Sequence, residues 1–319
     1  MSSVLSYSFP SSLRYINGKS TEIGCFTGYR GHELRFNEGL LSLGSRICIY
    51  STTQYIYLPS SLTNIQSDTF ICLGNLYDII LIDNSYPSAF SIVSNALLSY
   101  DQTRLYSYPS MLTGTYYVPN SVKVIHENSF CYSRLQEIII SDSCIEIQHS
   151  ALFHMPNLIY LRIPKSINKI SLYSIQDCPN LRNITIEMES IPPLQYQPIY
   201  FITLGNETKI IEDYALMNAA SLVSIILPPS VIKIGVESFR GLKNLKSVKI
   251  YGQPSIGSSA FKDTRISCGV DYYSSLIDPL ISSGINSKSF NYFCLTTARQ
   301  NAICFRSMLG FQYSVFIIL

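Results

Sequence analysis

The sequence predicts a β-rich solenoid in which short parallel strands stack on one wall. Irregular or 3-10 segments are expected on the opposite wall, with β-hairpins inserted between coils. Three observations carry this expectation: an apolar pair at fixed spacing, a six-residue apolar frame that follows it, and a Pro-x-Ser turn ahead of it, all recurring in phase.

The pair is an Ile followed five residues later by a large apolar side chain, as in Ile65/Phe70, Ile125/Phe130, Ile147/Leu152, Ile170/Ile175, Ile211/Leu216, Ile234/Phe239 and Ile256/Phe261. Successive Ile positions lie 60, 22, 23, 41, 23 and 22 residues apart, so four of the six gaps equal one repeat length. The frame reads LYDIIL at 76–81, LQEIII at 135–140, LIYLRI at 158–163, LRNITI at 181–186, LVSIIL at 222–227 and LKSVKI at 245–250. Its first, fourth and sixth residues alternate inward along an extended segment, the period-2 pattern of a half-buried strand. The turn occurs at 59–61, 119–121, 164–166 and 228–230. Its Pro cannot donate to a strand ladder and fixes its own φ, so it ends the strand. The Ile and the large residue then fill the core from the other side. A single coil cannot cover its own apolar side, so coils stack at about 4.8 Å and share one core.

The two long gaps divide the chain. Residues 1–57 are expected to form a degenerate N-terminal repeat and hairpin module, 58–266 the main array, and 267–319 a C-terminal cap and tail. Within the array a hairpin insertion is placed at 83–117, because SNALLSYDQTRLYSYP (94–109) shows two alternating runs around Asp101, Gln102 and Thr103. A related hairpin is expected in NEGLLSLGSRICIYS (37–51), where LLS also occurs. Pro192, Pro193 and Pro198 mark an irregular, shortened coil at 187–204.

The unit L-P-x-S-V-x-x-I-G-x-x-x-F-x-x-x-x-x-L-x-x-I-x-I, read best in LPPSVIKIGVESFRGLKNLKSVKI at 227–250, resembles the BspA-type leucine-rich repeat. The match runs from about Leu58 to Ile266. Cys72 and Cys178, two or three residues after the large apolar position, and Gly235 and Gly257 after the Ile fit that pattern, whereas Gln66, His126, Gln148, Ser171 and Glu212 depart at the Gly position. The resemblance implies a leucine-rich repeat solenoid, a β-rich, α/β-type horseshoe. It also implies a surface antigen or adhesin that engages host, matrix or microbial proteins.

Composition limits the partners. Apolar residues make up 47% and charged residues 14%, so Ser, Asn and Tyr must cover much of the surface. A formal charge of +2 gives no electrostatic reason to expect nucleic acid. Nine cysteines, an odd number without a C-x-x-C pair, argue against a zinc ribbon and for buried free thiols. The first fifteen residues lack a basic segment followed by an apolar core, which argues against a cleaved signal peptide. The uncharged stretch 307–319 is too short for a spanning helix and reads as a capping strand, so membrane anchoring is not supported. The family resemblance suggests the cell surface and the missing signal suggests the cytoplasm. The alternative to the adhesin is therefore an intracellular interaction scaffold of the same fold.

Catalytic chemistry finds no support. His32, His126, His149 and His154 form no H-E-x-x-H, with His126 and His149 at expected solvent-facing positions, and no G-x-S-x-G, G-x-G-x-x-G or P-loop occurs. The pairs Glu187/Glu189 and Glu212/Asp213 read as solvated. The sequence therefore predicts no enzyme, no cofactor, no metal site and no small-molecule substrate. Asn183 and Asn206 begin N-x-Thr sequons and are the candidate N-glycosylation acceptors.

The candidate ligand-binding face is the outward side of the stacked strands, read from the frames as Tyr77, Ile80, Glu137, Ile139, Tyr160, Arg162, Arg182, Ile226, Lys246 and Lys249. Acids lie in the early coils and bases in the later ones, so a polarised face is expected. Its apolar members would form an exposed patch, the mark of a protein-binding surface. On this reading, Tyr160→Ala combined with Arg162→Ser weakens ligand binding and leaves the thermal midpoint nearly unchanged; early unfolding would place the two residues in the core.

Overall fold

The computed structural model describes residues 12–16, 25–66, 68–82, 88–171, 173–194, 197–266, 270–272 and 274–290. Each coil follows one plan. A front strand of two to four residues runs into a tight turn, a side wall is formed by a short strand, and a back wall of consecutive turns returns the chain to the front.

The apolar frame sets the front wall. In Ser224–Leu227 and Ser247–Ile250 the inward residues Ile225, Leu227, Val248 and Ile250 are buried, and the strands pair in parallel with Ser224 opposite Ser247. Front strands form three parallel runs: Glu33–Arg35, Tyr55–Leu58 and Asp78–Leu81; then Thr115–Tyr117, Glu137–Ile139, Tyr160–Ile163, Asn183–Ile186 and Phe201–Leu204; then Ser224–Leu227, Ser247–Ile250 and Val270–Asp271. The first run crosses residue 57 without interruption. After each strand the carbonyl of Pro59, Pro119, Pro164 or Pro228 accepts a hydrogen bond from the N–H three residues on, that of Leu62, Val122, Ile167 or Val231. This converts the proline stop into a closed turn whose last residue is buried.

Side-wall strands carry the repeat Ile. Val124–Ile125 lies between Arg104–Leu105 and Glu146–Ile147. Residues 190–191, 210–211, 233–234 and 255–256 continue the pattern further along the chain. Gly257 stacks so tightly here that a Cβ would lie 2.6 Å from the Gly235 backbone, which explains the repeat glycine at this place.

The back wall repeats from coil to coil with left-handed backbone on both sides of the large apolar residue. Asn128 and Tyr132 flank Phe130, Ser150 and His154 flank Leu152, Tyr173 and Asp177 flank Ile175, Tyr214 and Asn218 flank Leu216, and Ser259 and Asp263 flank Phe261, all at φ between 51° and 64°. Such φ values cost a non-glycine residue on the order of 1 kcal/mol each. Glycine takes such a position after Phe239, as Gly241 at φ 75°, and after Phe26, as Gly28 at φ 65°. The cost is offset because the turn aims alternate N–H groups at the next coil, as from Phe130 to the Ala151 carbonyl at 2.9 Å and from Leu216 to the Ser238 carbonyl at 2.8 Å. It also buries Phe130, Phe239 and Phe261 completely, the last two with ring centroids 5.0 Å apart.

Two expectations for the hairpins meet different outcomes. Ala96–Ser99 pairs antiparallel with Arg104–Ser107 around a turn in which Asp101 Oδ1 accepts from the Thr103 N–H at 3.1 Å, and a third antiparallel strand, Phe90–Val93, precedes it. Arg104–Leu105 then joins the side wall and Thr115–Tyr117 the front wall, so the second part of 83–117 is a coil with an abbreviated back wall. Residues 83–87 lie outside the described residues. The segment 37–51, in contrast, is not a hairpin. Ser42–Leu43 pairs in parallel with Tyr15–Ile16 and Asn64–Ile65, and the following residues make a back-wall turn with left-handed Arg46 and Tyr50. Period-2 alternation is the same in parallel and antiparallel strands, which is why LLS misled. At 187–204 the prolines accompany a short coil with side-wall strand Ser190–Ile191 and front strand Phe201–Leu204.

The strand Ala96–Ser99 divides the interior. Leu97 belongs to an N-terminal apolar cluster with Leu34, Phe36, Ile56 and Ile79, whereas Ala96 and Leu98 belong to a C-terminal cluster that runs from Leu105 to Ile285. All three are fully buried, because each face of this strand meets a core. At the far end, helix Ile277–Ser282 with its flanking 3-10 turns sets Leu276, Leu280 and Ile285 on the last coil. The expected capping strand at 307–319 lies outside the described residues.

Replacing Phe239 by Ala empties the centre of a back-wall turn and removes its stack on Phe261. A loss of about 3–5 kcal/mol is expected from urea unfolding.

Candidate binding surface

Parallel register turns the outward front-wall residues into two ladders. In the central run the first is Thr115, Glu137, Tyr160, Asn183 and Phe201, and the second is Tyr117, Ile139, Arg162, Thr185 and Thr203. The structure thus sets Glu137 beside Tyr160 and Ile139 beside Arg162. Ile80 stands beside Tyr57 in the first run, and Ile226 beside Lys249 in the third. Tyr77 and Arg182 sit just ahead of their strands and Lys246 just ahead of Ser247. The ten candidates therefore share a wall and are spread over three sheets.

Several are held by neighbours. Arg162 is fastened most firmly: its Nε and Nη2 donate to Glu187 at 3.1 and 2.8 Å, Nη2 also to Asp142 at 2.8 Å, and Nη1 to the Ile140 carbonyl at 3.0 Å. These bonds outweigh burial and raise its pKa. The Tyr160 hydroxyl lies 3.1 Å from Thr185 Oγ1, and Thr115 Oγ1 donates to Glu137 at 3.0 Å. Tyr77 stacks on Tyr55 at 6.3 Å, Arg35 lies over the Tyr57 ring at 3.8 Å, and Arg182 lies 5.6 Å from the Tyr200 ring. Ile226 is 54% exposed, and Lys246 is exposed with Lys249 half-buried.

The expected charge gradient is not what the wall carries. Arg162 is neutralised by Glu187 and Asp142, Lys165 pairs with Glu207, and Lys209 with Glu189, around a shallow depression that also includes Asn206 and Ser230. Glu33 and Arg35 place both signs in an early coil. Carboxylates contributed by the turns, which the strand frames did not include, cancel the central bases.

Sequence reasoning missed Tyr117 and Phe201, which are 68% and 63% exposed. Tyr117 lies on a strand without the L-x-x-I-x-I frame, yet Pro119 follows it at the usual distance, so reading backward from the turn would have found it. Phe201 precedes Gly205, not a proline, and lacked that signal. Asn206 stands exposed in a turn, while Asn183 lies between Tyr160 and Phe201 with its Oδ1 buried. His126, expected in solvent, is half-buried with its ring 5.0 Å from Tyr106, and burial lowers its pKa. His149 is exposed and 3.0 Å from Ser150 Oγ. Among the described residues no three His, Cys, Asp or Glu side chains gather as metal ligands, and no helix is long and apolar enough to cross a membrane.

Parallel coils, a shared apolar core and a front wall of aligned outward side chains define a leucine-rich repeat solenoid. A family model for the BspA type leucine-rich repeat region, six copies long, matches residues 1–113, 103–197 and 195–278, and the chain belongs to that family. Its fold is similar to that of a leucine-rich repeat protein from Eubacterium ventriosum (TM-score 0.67, 23% identity, covering 78% of this chain and 68% of the other). It is also similar to one from Bacteroides ovatus (TM-score 0.64, 20% identity, covering 89% and 76%). None of the curated proteins compared with the chain matches it. Proteins of this family are repeat proteins of the kind that bind other proteins.

The bonds of Arg162 revise the expectation for its double variant with Tyr160. Arg162→Ala alone is expected to cost about 1–2 kcal/mol in urea unfolding, since it leaves Glu187 half-buried without its partner. Ile226→Ser, on the same wall, should stay within about 0.5 kcal/mol of the parent.

Proposed function

We propose that this chain is a non-enzymatic protein-binding molecule that acts as a surface antigen or adhesin, engaging host or microbial proteins through its front wall. The observation that carries the reading is the set of large apolar side chains standing in solvent on rigid strands or at their starts: Tyr117, Ile159, Phe201, Val223 and Ile226. Each is held by a neighbouring strand on at least one side, so little conformational freedom is lost on binding. Aromatic anchors of this kind dominate protein interfaces. The near-neutral, hydroxyl-rich surface supports contact with protein more than with polyanions. On an exported chain, Asn206 in its exposed turn is the better acceptor for glycan, because the Asn183 side chain lies within a ladder.

A second reading, an intracellular scaffold, is favoured by the thiols: Cys25, Cys48, Cys72, Cys131, Cys144 and Cys178 are all free, and four of them are buried. Labelling intact cells with an impermeant reagent separates the two readings, since a well-expressed but unlabelled chain excludes the adhesin.

Tyr117→Ser with Phe201→Ser is expected to lower binding to epithelial cells or immobilised matrix protein at least tenfold while the thermal midpoint holds. Unchanged binding to the same targets would move the interface off the front wall.

A further inference from the structure

The side and back walls part between the coil that carries Lys169–Ile170 and the coil that carries Ser190–Ile191, away from the front wall. Elsewhere each side strand donates to the one before it. Glu146 N–H reaches the Lys123 carbonyl at 3.2 Å and Gln148 N–H that of Ile125 at 3.0 Å, and Lys169 and Ser171 repeat this on Ile145 and Ile147 at 3.2 and 2.9 Å. The next donors in the series are Ser190 and residue 192, because Ser190–Ile191 stands opposite Ile210–Ile211 and Glu212 N–H in turn reaches the Ile191 carbonyl. Residue 192 is proline and has no N–H to give. Lys169–Ile170 and Ser190–Ile191 accordingly do not pair. Each is the last strand of its own sheet, and they stand wider apart than neighbouring side strands such as Glu146–Ile147 and Lys169–Ile170.

The back wall opens at the same level. In the turn around Leu216 the N–H groups of Tyr214, Leu216 and Asn218 reach the Val236, Ser238 and Arg240 carbonyls at 2.9, 2.8 and 2.8 Å. The equivalent N–H groups of Tyr173, Ile175 and Asp177 meet no acceptor among the described residues, and the Asn168 and Ile170 carbonyls meet no donor there. The facing segment is drawn the other way, with Leu194 N–H on the Ala215 carbonyl at 2.6 Å. A side chain reaches back, Gln197 Oε1 accepting from the Cys178 N–H at 3.4 Å. Between the two coils lies a cavity of about 240 Å³, lined mainly by Ile170, Tyr173, Ile175, Pro192, Pro193 and Leu194, with the exposed Tyr173 at its mouth. Charged side chains nearby are already engaged: Lys169 with Glu146 at 2.6 Å, Asp177 with His154, Glu212 with the Ser190 hydroxyl, and Asp213 with the Val236 N–H at 2.8 Å.

We propose that this seam is a binding site, separate from the front wall, that takes an uncharged extended segment of a partner protein as an added strand. The segment runs parallel to Lys169–Ile170, as the native side strands do. Its N–H groups bond to the Asn168 and Ile170 carbonyls, its own carbonyls accept from the Tyr173 and Ile175 N–H groups, and one large apolar side chain fills the cavity against Tyr173 and Pro193. An open strand edge is a template for such pairing, in which main-chain bonds supply affinity and a pocket selects the side chain. The seam is matched to a neutral segment, since a charge brought into an apolar cavity whose neighbouring charges already have partners is left unpaired.

The test uses the full chain and a short fluorescein-labelled peptide of alternating threonine and valine around a central phenylalanine, with both ends blocked, read by fluorescence anisotropy. Saturable binding is expected. N-methylation of alternate peptide amides, or lysine in place of the phenylalanine, should weaken binding at least about tenfold. Hydrogen exchange on the parent locates the site: bound peptide should slow the amides of Tyr173 and Ile175 and leave those of Asn183–Ile186 and Phe201–Leu204 unchanged. Tyr173→Ser should weaken binding by a similar factor, whereas Tyr117→Ser with Phe201→Ser should bind the peptide as the parent does. The parent and its peptides decide the matter, so misfolding of a variant does not blunt the test. Absence of saturable binding, equal binding of the methylated peptide, or protection of the front strands in place of Tyr173 and Ile175 overturns the proposal, and the last of these leaves the front-wall reading standing.

Discussion

Every coil of this chain is too thin to cover its own apolar side, and it leaves backbone N–H and carbonyl groups pointing along the stacking axis. Stacking solves both problems at once, because a second coil of the same length buries the apolar side and accepts the hydrogen bonds. The requirement falls on all three walls: front strands pair through up to four residues, side strands through two, and back turns through alternate N–H groups. A period near 22 residues is the length that lets all three meet in register. Where a coil is shorter, as between Asn183 and Phe201, the front wall still pairs but the side wall begins a new sheet at Ser190.

The back wall shows how strongly this constraint acts on local conformation. Asn, Tyr, Ser, His and Asp occupy left-handed backbone that each would avoid in isolation, with glycine there at Gly28 and Gly241. The turn persists because it places a large apolar residue at the centre of the core and hydrogen-bonds to the coil on either side. Hydroxyls reinforce it: Thr69 Oγ1 donates to the Gly44 carbonyl at 2.8 Å and Ser129 Oγ to the Leu105 carbonyl at 2.9 Å. The same geometry stacks equivalent side chains into columns, as where the Tyr132 ring lies 4.3 Å from that of His154.

What could be read from sequence follows from what repeats. The front strands, the proline turns and the inward Ile and Phe were legible because each has a fixed chemical requirement at a fixed spacing. The left-handed positions were not, since no residue type marks them. Leu105 stands in the Ile place twenty residues before Ile125, but without a large apolar partner five residues on it was hidden inside the longest gap. Of the front-wall candidates, placement on an outward ladder was readable for Glu137, Ile139, Tyr160 and Arg162. The carboxylates that neutralise Arg162 come from turns, and Tyr117 and Phe201 come from strands lacking the frame, so the charge and the aromatic content of the wall were misjudged.

The strand Ala96–Ser99 carries a mechanical consequence. With Leu97 rooted in one core and Ala96 and Leu98 in the other, the two halves of the solenoid are joined through this strand and through a few hydrogen bonds such as that from the Met111 N–H to the Leu76 carbonyl at 2.9 Å. Under tension along the stacking axis, such a chain extends in two steps, as two unequal springs do. The smaller, N-terminal half can open while the longer half stays wound.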